Sequence, residues 1–195
     1  MKKFFTKMSY QVCCLLTCLL IQAFGHAELV DLSRPTPQMI ELLEVLSHTK
    51  LAVVSTVGTD PKSLQSSLVV YGNDQYDLYL VVLKQSQLYK NLKKNRNINF
   101  VMGFNERAIQ YKGVAHKLDR GNPAVIKEFR EKALCNGLLL ANPNARYFKI
   151  KPKHLNLLNV QNCPGTQTFF NFKKNRVRQV SVTPPVCYCN PEALL

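Results

Sequence analysis

Acidic side chains are scarce in this chain, with 12 Asp and Glu against 26 Lys and Arg in 195 residues. Paired carboxylates of the kind that glycoside hydrolysis needs are not evident in so small a set. No glycine-rich phosphate loop follows a strand, and strands and helices do not alternate regularly. Both absences disfavour a dinucleotide fold or a P-loop site. The histidines, His26, His48, His116 and His154, are scattered, with no Ser or Cys nucleophile motif beside them, so triad-type hydrolysis has no foundation. There is no internal repeat. The apolar run from Val12 to Ile21, broken by Thr17, is shorter than the roughly 20 residues that span a bilayer.

That run belongs to a leader. Lys2, Lys3 and Lys7 precede it, and Gly25-His26-Ala27 supplies small residues for cleavage before Glu28, the layout of a secretory signal. Residues 1–27 are expected to be removed and the rest exported, periplasmic or secreted. An uncleaved anchor and an N-terminal core helix are the alternatives. No twin arginine precedes the run, so the chain would travel unfolded and acquire any cofactor after export.

Without the leader's Cys13, Cys14 and Cys18, four cysteines remain: Cys135, Cys163, Cys187 and Cys189. An even number in an exported protein allows two disulfides in any of three connectivities. Cys187 and Cys189 are too close to pair easily with each other. They have no neighbouring histidine, so no metal site is expected. The net charge of +14 falls to about +11 without the leader lysines and can draw anionic ligands or surfaces. The basic runs Lys90–Arg96 and Lys173–Arg178 lack the interleaved aromatics of single-strand binding platforms. They read as solvated surface, and no nucleic-acid partner is expected.

The pattern along the chain is mainly β with short helices. Thr36-Pro37 opens a helix, with Met39, Ile40, Leu43 and Leu46 at helical spacing and Glu41 and Glu44 on the wet face. Strands are predicted over 51–57, 64–71, 77–83, 98–104, 108–116 and 146–150, the last continued over 155–160. Ser86 caps a short helix through Lys94, and Asn122-Pro123 opens a further one. Six short strands with few long connections predict an α+β domain built on a small antiparallel barrel, its ends closed by helices. This domain would occupy residues 28–160. From 161 to 195 prolines and cysteines recur and the composition reads as an appended tail that wraps the domain or a partner.

Five segments, in order, resemble the FMN-binding split barrel of the pyridoxamine 5'-phosphate oxidase-like proteins. They are Leu51–Val57, Gln65–Val69, Tyr89–Asn95 with Ile98–Met102, Gln110-Tyr111-Lys112-Gly113 with Val114-Ala115, and Arg146–Pro152. The resemblance covers about residues 38–160 and implies a six-stranded antiparallel split barrel, a homodimer, and FMN at the subunit interface doing redox chemistry on a small organic substrate. It places Ser66, Ser67, Leu68 and Val69, with Val81 and Val82, beside the flavin, Gln110 against it, and Lys84, Ser86, Gln87 and Lys90 around the phosphate. The family usually grips that phosphate with Ser-Arg-Lys at a helix N-terminus, where free N–H groups and positive potential assist. Here the sequence reads Ser86-Gln87-Leu88, and Asp60-Pro61-Lys62 stands where the family often has Gly-x-Pro. The alternative is the same barrel with a degenerate flavin site, a non-enzymatic module for haem or another ligand. No catalytic residue is assigned; in a flavoprotein the cofactor carries the redox chemistry.

Overall fold

The computed structural model describes residues 35–58, 64–119, 127, 142–162 and 164–182. The leader, the four remaining cysteines and the helix expected after Asn122 lie outside them. Helix α1 (Pro37–His48) starts where Thr36 accepts the Met39 N–H at 3.3 Å. Strands β1 (Leu51–Thr56), β2 (Gln65–Asp74) and β3 (Asp77–Leu83) follow. Next come helix α2 (Gln87–Lys94), β4 (Asn97–Phe104), β5 (Arg107–Leu118) and β6 (Ala145–Asn159). Two further strands, β7 (Gly165–Asn171) and β8 (Arg176–Val182), lie in the region that reads as a tail.

The strands pair antiparallel in the order β3-β2-β1-β4-β5-β6, and β3 also pairs with β6. That pairing closes a six-stranded barrel flanked by the two helices. Side chains alternate along each strand, so Ala52, Val54, Tyr71, Leu78, Leu80, Ile98, Phe100, Met102, Ile109 and Tyr111 meet inside. Phe100 meets Tyr71 and Tyr111 edge-on, with ring centres 6.5 and 5.6 Å away. The Tyr111 hydroxyl donates to the backbone oxygens of Ile150 and Tyr76 at 2.9 and 3.0 Å, and Tyr71 donates to Leu46. Buried phenols need such partners.

Strand β6 is one unbroken element across Lys151-Pro152-Lys153. Its first half, to Ile150, closes the barrel on β3, and its second half, from His154, pairs with β7. Proline is tolerated because the β5–β6 register shifts between Lys112 and Gly113, with Gly113 opposite Pro152. A methyl group at Gly113 would stand 2.7 Å from the Lys151 oxygen and 2.8 Å from Ile150, so only glycine fits that approach. The hairpin β7–β8 thus extends the sheet beyond the barrel.

Helix α1 differs from its sequence reading. Met39, Leu42, Val45 and Leu46 face the core, while Ile40 is 58% exposed. The acids expected on the wet face hold the helix in place: Glu44 takes two hydrogen bonds from Arg107, at 2.8 and 3.3 Å, and Glu41 accepts from Asn159.

Candidate functional site

The predicted site residues fall in three places. At the start of α2, the Ser86 hydroxyl accepts the Tyr89 N–H at 3.2 Å and donates to the Leu83 oxygen at 2.7 Å. This is an N-cap of the ordinary kind. Gln87 donates its amide to Asn91 Oδ1 at 2.8 Å, and Asn91 donates to the Thr56 hydroxyl at 3.2 Å. Asn91 and Thr56 are both buried. Leu88 is 6% exposed and belongs to the hydrophobic core. Lys84 and Lys90 are exposed, and no acidic residue stands in the helix's first turn.

Below this helix, Thr56 sits opposite Gln65 on β2. Gln65 donates to Ser67 at 3.3 Å, and its own Oε1 is buried without a hydrogen-bond partner. The neutral chain Gln87–Asn91–Thr56 and the Gln65–Ser67 pair therefore lie where strand β1 runs under α2. The sequence pattern missed Asn91 and Thr56. An asparagine on the core face of a helix is the one signal that could have marked them, since buried amides require partners.

The second place is the barrel's outer face. There the strand register aligns Leu68, Val53, Val101, Gln110, Asn156 and Phe169 in one cross-strand row. A second row runs Ser66, Ser55, Asn99, Lys112, His154 and Asn171. Ser55 and Ser66 share a hydrogen bond at 3.0 Å. Ser66, Leu68 and Gln110 are thus on one surface. Its β1–β2–β4 part is apolar: Leu51, Val53, Leu68, Val70 and Val101 are all exposed, Leu68 to 70%. No charged side chain stands among the outward residues from Leu51 to Ser55, Ser66 to Val70 and Asn99 to Val101.

The third group faces elsewhere. Val82 is buried in the core and Val69 packs against it. Ser67 points the same way as Val69, whereas Val81 alternates to the outside of β3, opposite Tyr147. Beside it, Lys149 bridges to Asp77 at 3.2 Å and lies over the Tyr79 ring. Its ammonium is held well above the usual lysine value by hydrogen bonding to Tyr79, against the opposing effect of burial, and then by Asp77.

Whether FMN fits can be tested on these contacts. The two positions that should carry the phosphate's cations hold an amide bonded to Asn91 and a core leucine. The family's grip is not reproduced, and charge must come from Lys84 and Lys90 or be absent. Among the described residues no group of His, Cys, Asp and Glu could hold a metal ion, and no helix is long and apolar enough to cross a membrane.

No family model and no curated protein matches the chain. Solved structures do. Campylobacter jejuni ChuZ superposes with a TM-score of 0.61 at 16% identity, over 79% of this chain and 68% of its own. A heme binding protein from Mycobacterium smegmatis gives 0.59 at 14%, over 73% and 60%. A candidate pyridoxamine 5'-phosphate oxidase from Listeria innocua gives 0.51 at 15%, over 63% and 98%. The fold is a split barrel. It is shared with pyridoxamine 5'-phosphate oxidase-like and haem-binding proteins, and identity this low carries the fold alone.

Proposed function

We propose that this chain is a split-barrel ligand-binding protein that works as a homodimer and has given up the flavin-phosphate grip of its oxidase-like relatives. The observation that carries it is the pair at the start of α2: Gln87 tied to Asn91 and Leu88 seated in the core. Hydrogen bonds to a charged group contribute about 1.5–3 kcal/mol each, so losing two costs FMN orders of magnitude in affinity. Haem is a ligand to test first, since a relative of this fold is named for binding it.

The dimer would form through the apolar rows of β1, β2 and β4. A contiguous exposed apolar patch marks an interaction surface. In a chain with a net charge of +14, a second copy meets least repulsion on a face without charge. Val53→Arg should then convert the dimer to a monomer in sedimentation.

A second reading keeps FMN and a redox activity on a small organic substrate. It draws on Lys84 and Lys90, two exposed cations flanking the Ser86 cap, and on the acid-free first turn of α2. Titrating the exported chain with FMN and with haemin, followed by absorbance, separates the two. No flavin shift in wild type, with flavin binding gained in Gln87→Arg, supports the degenerate site. Micromolar or tighter FMN binding by wild type refutes it.

A further inference from the structure

Outside the barrel, β5, β6 and β7 form a groove of about 420 Å³. Gln110 and Lys112 come from the barrel, His154 and Asn156 from the second half of β6, and Phe169 and Asn171 from the hairpin. The register makes it continuous: Gln110, Asn156 and Phe169 are direct neighbours across the strands, as are Lys112, His154 and Asn171. We propose that this groove binds a planar aromatic carboxylate.

Four observations point to that chemistry. Phe169 is 38% exposed at one side of the groove, which leaves part of its apolar ring for another ring to pack against. Asn156 Oδ1 is buried and has no hydrogen-bond partner. A buried amide left in that state costs stability unless a bound group satisfies it, so the ligand also carries an N–H or O–H beside its ring. Lys112 and His154 stand side by side on adjacent strands, both exposed, and no acidic residue lines the groove among the described residues. Both rows then run on to β8, where Arg178 lies opposite Phe169 and Arg176 opposite Asn171. Lys112 on one side of the groove and Arg176 and Arg178 on the other give it a positive excess, which selects an anion, and its volume lies within the range of small-molecule sites.

The site is separate from the α2 terminus, because Phe169 and Asn171 come from the hairpin beyond the barrel and Gln110, Lys112, His154 and Asn156 from β5 and β6. Its test is calorimetric titration of the full chain with 6-hydroxy-2-naphthoate and, separately, with the neutral 6-hydroxy-2-naphthamide, so that both probes carry the O–H and only the charge differs. Expected is one saturable naphthoate site per chain, with naphthamide bound at least tenfold more weakly. Phe169→Ala and Lys112→Ala should each weaken naphthoate at least tenfold. Asn156→Asp, close to isosteric, should do the same by placing a negative charge at the amide, and its melting curve verifies folding. Ile40→Ser, an exposed apolar residue on α1, should bind as wild type. No saturable binding, equal binding of acid and amide, or undiminished binding by Phe169→Ala and Lys112→Ala would each overturn the proposal.

Discussion

The two helices look alike in sequence and do different work. Each begins at a hydroxyl cap, Thr36 or Ser86, and each packs on the barrel. On α1 the buried face is apolar, and its polar residues Glu41 and Glu44 reach sideways to Asn159 and Arg107. Those contacts seal the helix to the strands it covers. On α2 the buried face includes Asn91, which carries a hydrogen-bonded chain from exposed Gln87 to buried Thr56. The lesson is that a polar residue bonded at the edge of a helix fastens it, whereas one bonded across its buried face builds a polar interior. That interior is neutral here: the chain of hydrogen bonds from Gln87 through Asn91 to Thr56 contains no charged group.

Substitutions in the two helices should break this comparison in a definite order. Leu42, fully buried on α1, should show the largest effect: Leu42→Ala is expected to lose about 2–5 kcal/mol in urea unfolding through the cavity it leaves. Leu88→Lys on α2 should cost about 1–3 kcal/mol, since the ammonium must be desolvated or drawn out along its stem. A stable Leu88→Lys protein with tight FMN binding would mean that position 88 can turn to a phosphate after all. Asn91→Ala should cost about 1–2 kcal/mol because the Thr56 hydroxyl is left buried without that donor. An unchanged midpoint would show that water replaces the amide and that the polar interior is open.

The smallest effect belongs to Glu44. The Arg107 hydrogen bond holds the carboxyl below its ordinary value of 4.5 against the desolvation that opposes it, and the charges of Arg107 and His48 add to the lowering. A depressed folded value means that the stabilisation is present above the ordinary value and fades as pH falls through the lowered one. Thermal melts of wild type and Glu44→Gln should therefore differ at neutral pH and converge as the solution is acidified below about 4.5. Curves that stay parallel would assign the difference to packing rather than to the ion pair.

Much of the barrel was legible beforehand. Short apolar runs bounded by turn residues marked strands over 51–57, 77–83 and 98–104. Ser86 and Thr36 marked their helices, because a hydroxyl can satisfy a first-turn N–H that the helix leaves open. Less legible was the course of β6: Lys151-Pro152-Lys153 reads as a break, and only the shifted register opposite Gly113 lets the strand run through. The hairpin β7–β8 was hidden in a stretch whose prolines and cysteines dominate its composition.

The candidate sites divide along the same line. That residues 87 and 88 lack the cations of the phosphate grip is a property of the sequence alone, since no fold can supply charge to an amide or a leucine. Which way those residues point was settled by tertiary packing: Leu88 serves the core and Gln87 serves Asn91 because α2 docks with that face down. The alignment of Gln110, Asn156 and Phe169, far apart in the chain, likewise depends on register. Register is fixed by burial of the opposite strand face and by where the strands turn, and neither is local to the residues that meet.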